Sequence, residues 1–143
     1  MFILDTNVLS ELRKVRAGKA DAHVARWSDS TNAIELYLSV ITLQELEIGV
    51  LLAERRDPAQ GSMLRSWLDH HVLPAFDGRI LAVDTAVVIR SAKLHVPDPR
   101  PFRDGLIAAT ALVHGMTLVT RNVDDFAATG VALLNPWQNA VAQ

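Results

Sequence analysis

The sequence predicts an α/β fold: a doubly wound domain with a central parallel sheet flanked by helices. Two observations carry this. Short apolar stretches of strand character alternate with longer stretches whose apolar residues recur at helical spacing. The chain has 143 residues, enough for one compact domain and too few for two of ordinary size, so residues 1–143 are expected to form a single unit. Sheets of this kind bind ligands outside the carboxyl ends of their strands, near a topological switch point.

Phe2, Ile3 and Leu4 make a short apolar strand, and the turn after it opens a helix over residues 8–14. Residues 16–21 are polar, include Gly18 and read as a connection. Residues 23–29 have helical spacing at Val24, Ala25 and Trp27, and residues 36–40 are strand-like. Residues 42–55 predict a strong helix, with Leu43, Leu46, Val50 and Leu52 at helical spacing. Asp57-Pro58 breaks it. It resumes over residues 63–72, where Met63, Leu64, Trp67 and Leu68 form a stripe read as core, and Pro74 ends it. Residues 79–83 are a strand, and Asp84-Thr85 starts a helix to about Leu94. Pro97, Pro99 and Pro101 make residues 96–101 a stiff loop. Asp104 opens a helix to His114 that Gly115 closes. Residues 117–119 are a strand, 124–127 a helical turn and 131–134 a last strand.

The formal charge is −2, so the chain lacks the strong positive field of a protein that holds duplex DNA by phosphate neutralisation. With no cysteine, disulfides, thiolate metal sites and cysteine nucleophiles are excluded. The N-terminus has no basic segment and its apolar run stops at Asp5, unlike a signal peptide. No stretch approaches the roughly 18–20 apolar residues of a membrane span, and a cytoplasmic location is expected. Half of the residues are hydrophobic, which supplies a core and leaves apolar surface for self-association.

Four acidic regions stand where apolar surface meets a strand or helix end. Asp5 follows the first strand directly. Glu45 lies one turn into its helix, in line with Ile48, Gly49 and Leu52. Asp104 is in line with Ile107, Ala108 and Ala111, and Asn122-Val123-Asp124-Asp125 follows the strand at 117–119. On the predicted fold all four can converge at the carboxyl edge of the sheet, where a hard divalent cation would relieve their mutual repulsion. Each also has a purely structural explanation. Asp5 can cap the next helix, Glu45 and Thr42 have capping-box spacing, and Asp104 can favour the positive end of its helix. Asp84 copies the Asp5 pattern, with nothing else to distinguish it, and reads as a helix cap. An aspartyl-nucleophile phosphatase would want a second Asp at the position of Asn7. The five histidines show no metal-ligand spacing and read as structural or surface groups, and Trp27, Trp67 and Trp137 read as core or interface residues.

Four stretches resemble a known family in order and spacing. Leu4-Asp5-Thr6-Asn7 is similar to the opening of PIN-domain proteins, specifically the VapC-like toxins of type II toxin–antitoxin systems. Ser39-Val40-Ile41-Thr42-Leu43-Gln44-Glu45-Leu46 resembles the second motif, Phe102-Arg103-Asp104-Gly105-Leu106-Ile107-Ala108-Ala109-Thr110-Ala111 the third, and Thr120-Arg121-Asn122-Val123-Asp124-Asp125-Phe126 the fourth. Leu134-Asn135-Pro136-Trp137 and Pro74-Ala75-Phe76-Asp77-Gly78-Arg79-Ile80-Leu81 resemble the FitB-like branch.

The resemblance implies a magnesium- or manganese-dependent endoribonuclease acting as the toxin. It also implies a homodimer and an antitoxin partner that inhibits it and supplies contact with DNA. By motif, Asp5, Glu45 and Asp104 match the acidic metal-binding positions. Asn122 stands at the fourth catalytic position, where some relatives have Asp, and Asp125 is an alternative carboxylate. Thr6, Asn7 and Thr120 are polar neighbours able to orient ligands. Arg100, Arg103 and Arg121 flank the third and fourth motifs and are candidates to hold RNA phosphates. The competing functional class is a binding module, a PIN fold serving an antitoxin-dependent DNA-binding complex with little nuclease activity. Asn122 and the low charge point that way.

Overall fold

A computed structural model describes residues 1–138 of the chain. The strands are β1 (Phe2–Leu4), β2 (Leu36–Ser39), β3 (Ile80–Leu81), β4 (Thr117–Val119) and β5 (Leu133–Leu134). All five are parallel and form one sheet in the order β3-β2-β1-β4-β5. The helices between them are α1 (Thr6–Leu12), α2 (Ala22–Ser30), α3 (Val40–Arg56), α4 (Pro58–Trp67), the single turn α5 (Leu73–Ala75), α6 (Thr85–Leu94), α7 (Phe102–His114) and α8 (Val123–Phe126). The predicted parallel sheet flanked by helices is what the chain forms.

Successive strand residues face opposite sides of a sheet, and the core divides accordingly. Leu4, Leu38 and Val119 point to one side, against Val8, Leu9, Leu46, Val50, Leu68 and Val72. Ile3 and Leu118 point to the other, against Ile107, Ala108, Ala111 and Phe126. All of these are buried, and each large side chain so covered contributes about 1.5–3 kcal/mol. The alanines of α7 let that helix lie close on the sheet, which brings its first turn towards the strand ends. Gly115 closes α7 as predicted, with a left-handed φ of 65°.

Several helices begin earlier than their apolar stripes predict, and capping explains it. The Asp5 side chain accepts from the Thr6 N–H, so α1 starts at Thr6 instead of residue 8. Ser39 accepts from the Ile41 N–H and starts α3 two residues early. Asp57 accepts from the Gln60 N–H, with Pro58 in the first helical position, so α4 begins at Pro58 instead of residue 63. Pro74 does not end the helical path: residues 68–72 widen into a π-type turn and Pro74 lies within α5. The stripe read as core is correct at Leu68 but not at Met63, which is 70% exposed. The strands expected over 79–83 and 131–134 shorten to two residues each.

Asp84 is a cap, as read: its side chain accepts from the Val87 N–H at 3.0 Å. Asp84→Ala is expected to cost about 1 kcal/mol of stability, and Asp84→Asn only a few tenths. Urea denaturation of the two variants checks the difference.

Candidate active site

Asp5 lies just past the central strand, where the chain leaves β1 with β2 on one side and β4 on the other. It is fully buried. Its N–H still donates to the Val119 carbonyl at 2.9 Å, so the backbone is pinned to β4. The carboxylate is also held from several directions. Oδ1 accepts from the Thr6 N–H at 2.8 Å. Oδ2 accepts from the Thr120 hydroxyl at 2.7 Å, and Asn7 Nδ2 stands 3.5 Å away. Thr120 Oγ1 accepts in turn from the Asn122 N–H at 3.0 Å, which fixes the direction of its own proton towards Asp5. Capping and site geometry therefore coincide at Asp5.

Glu45 does not complete a capping box. Ser39 caps α3, and the Thr42 hydroxyl is buried without a hydrogen-bond partner. Glu45 turns instead towards the strand ends, where Oε1 accepts from the Thr6 hydroxyl at 2.5 Å. Asp104 stands in the first turn of α7.

The residue that joins the three acids is Arg103. Its Nε donates to Glu45 Oε2 at 2.5 Å, its Nη1 to Asp104 Oδ1 at 2.8 Å, and its Nη2 to Asp5 Oδ1. Burial opposes the charge on this guanidinium. The hydrogen bond it donates to Glu45 and the charge of Asp5 outweigh it and hold the pKa above the ordinary arginine value. Among the described residues no three acidic or histidine side chains are gathered as a ready metal cage; the guanidinium lies between the carboxylates that would form one.

The fourth motif joins through Thr120. Asn122 is exposed and its side chain is not tied to the cluster, and Asp125 is likewise exposed and outside the hydrogen-bond network. Arg100 is engaged with its own loop, its Nε donating to the Leu94 carbonyl at 2.7 Å. Arg121 is exposed, with its guanidinium 5.1 Å from the Trp137 ring centroid. Of the three arginines read as phosphate contacts, Arg103 alone faces the acids. The sequence did contain a signal for this. A cation in the first turn of a helix opposes the helix dipole, so its presence there implies compensating anions nearby.

The PIN domain family model matches residues 2–132. The chain belongs to the PIN-domain family. Two relatives place this PIN domain with the FitB-like branch. Toxin FitB of Neisseria gonorrhoeae is 39% identical over 145 residues, covering 97% of this chain and all of that protein. A VapC ribonuclease of Sinorhizobium fredii is 37% identical, covering 98% of this chain and all of its own length. A solved structure of FitAB bound to a DNA fragment superposes with a TM-score of 0.89 at 34% identity, with both chains covered in full. Within the PIN domain, then, the first three motifs meet at one guanidinium, and the fourth reaches them through a threonine hydroxyl.

Proposed function

We propose that this PIN-domain protein is a magnesium- or manganese-dependent endoribonuclease, the toxin of a type II toxin–antitoxin pair. The observation that carries the reading is the convergence of Asp5, Glu45 and Asp104 on one positive group at the carboxyl end of the central strand. Relatives 39% and 37% identical to the chain bear the names toxin and ribonuclease.

The donor set fits a hard divalent cation. It consists of carboxylate oxygens, one of them fully buried, and it already gathers positive charge. Asp5, Glu45 and Asp104 would hold the ion. When bound, the ion supplies activation of water and neutralisation of charge on the phosphate. The chain's own groups supply the rest. Thr6 and Thr120 fix the directions of Glu45 and Asp5, so the donors are oriented before substrate arrives. Asn122 offers a carbonyl oxygen or an N–H at the open edge; it cannot act as a general base. Asp125 is the alternative carboxylate at that edge. Arg121 and Arg100, which flank the fourth and third motifs in the sequence, are proposed to meet RNA phosphates, and such contacts carry no sequence information.

The proposed partners are an inhibitory antitoxin and a second copy of the chain, with DNA reached through the antitoxin. Exposed Ile48, Leu51, Leu52 and Met63 on α3 and α4 provide apolar surface for association. Among the described residues no helix is long and apolar enough to cross a membrane. The proposed site of action is the cytoplasm.

The purified chain is expected to cut RNA with Mg²⁺ or Mn²⁺ present and to stop when EDTA is added. A gel-based cleavage assay checks this. The occupation of the acidic cluster by Arg103 joins Asn122 and the low charge in support of the binding-module reading. That reading is favoured if the folded chain binds neither Mg²⁺ nor Mn²⁺ at millimolar concentration.

A further inference from the structure

Arg103 gives one nitrogen to each of three carboxylates, Glu45 at 2.5 Å, Asp104 at 2.8 Å and Asp5. Three features separate this from an ordinary surface ion pair. One of the acids, Asp5, is fully buried, and Asp104 is 15% exposed. The guanidinium sits at a helix start that repels cations. Its planar fork is divided among three acids instead of pairing with one.

The oxygens it occupies belong to the residues read above as cation ligands. A guanidinium held by Asp5 Oδ1, Glu45 Oε2 and Asp104 Oδ1 fills the space between the three acids that a divalent ion shared by them would need, so the two cations compete for it. Two of the three acids have holders of their own. Asp5 keeps the Thr6 N–H and the Thr120 hydroxyl, and Glu45 keeps the Thr6 hydroxyl. Those two donors therefore keep their orientation when the arginine contact is lost.

We propose that Arg103 is a built-in competitor for the metal. It stands in for the cation in the metal-free chain, stabilises that state and must swing out before a divalent ion binds. The inference rests on the reading of Asp5, Glu45 and Asp104 as the ligands. Its consequence is a weakened apparent metal affinity, because the binding-competent state is populated only while the arginine is out. Metal uptake frees the guanidinium to face the substrate side of the cluster.

The test is Mn²⁺ titration of the full chain by calorimetry, with wild type, Arg103→Gln and Asp104→Asn compared. Arg103→Gln is expected to bind Mn²⁺ at least about tenfold more tightly than wild type, the change in affinity for about 1.4 kcal/mol of relieved competition. Its melting temperature is expected to fall in EDTA and to rise more with Mn²⁺ than that of wild type. In wild type, Mg²⁺ is expected to shift the Arg103 Nε–H resonance towards that of a solvated guanidinium. Equal or weaker Mn²⁺ binding by folded Arg103→Gln overturns the competition while leaving the ligand reading intact. Mn²⁺ uptake by none of the folded proteins, or uptake that Asp104→Asn leaves unchanged, overturns the ligand reading and the competition with it. Should Arg103→Gln not fold without metal, Arg103→Lys keeps the charge and loses the fork. It is expected to bind between the other two, and binding no tighter than wild type overturns the proposal.

Discussion

Replacing Asp104 by Asn is expected to cut magnesium-dependent RNA cleavage by about a thousandfold, the factor that several kcal/mol of lost transition-state stabilisation represents. The fold is expected to persist. Asp104 lies in the first turn of α7, is partly exposed, and accepts one hydrogen bond from Arg103 through Oδ1. Asparagine keeps an oxygen for that bond and loses the charge. The structural cost is then the weaker interaction with the helix dipole, about 0.3–1 kcal/mol. Asp5→Asn is a poorer probe, since Asp5 is buried and its oxygens accept from Thr6, Thr120 and Arg103 together. An amide there forces one donor to face another, and stability falls along with activity. Full cleavage by a well-folded Asp104→Asn protein, measured beside its circular dichroism spectrum, would remove Asp104 from the chemistry.

The second large effect is structural. Gly61 of α4 is buried against α3 at Glu54. A Cβ added to it would stand 2.4 Å from the Glu54 Cα and 2.6 Å from the Glu54 nitrogen. These are backbone atoms, so no side-chain rotation relieves the clash and the two helices must separate. Alanine gains about 1 kcal/mol of helix propensity over glycine, while overpacking costs about 1–3 kcal/mol and more where backbone must move. The clash wins. Gly61→Ala is expected to lose about 2 kcal/mol in urea denaturation, a sizeable share of the 5–15 kcal/mol typical of a domain. Separation also strains the ion pairs of Arg65 with Glu47 and Glu54, which span the same two helices. An unchanged midpoint would show that the helices part at no cost.

Alternation of apolar runs located β1, β4 and α6 in the sequence, because each is bounded by a sharp local signal. The starts of α1, α3 and α4 were obscured because Asp5, Ser39 and Asp57 carry the helix upstream of its first apolar stripe. The short outer strands β3 and β5 were over-read, since an apolar run does not reveal how much of it finds a neighbour to pair with. At the site, Asp5, Glu45 and Asp104 were legible from their positions at element ends together with the motif pattern. Their convergence on Arg103 was not. Arg103 and Asp5 are 98 residues apart, and only the folded sheet and the helix packed on it bring them together.

The pairing of β1 with β4 has a consequence for the order in which the protein is made. Asp5 is synthesised well before the threonine that orients its carboxylate, which follows 115 residues later in the chain. A nascent chain that ends before Thr117 lacks β4, the Val119 carbonyl that pins the Asp5 backbone, and the Thr120 hydroxyl. Such a chain carries its acids without the frame that assembles them. On the proposed function, the acidic centre assembles only once β4 has been made, so a copy cut short before that strand is expected to leave RNA intact.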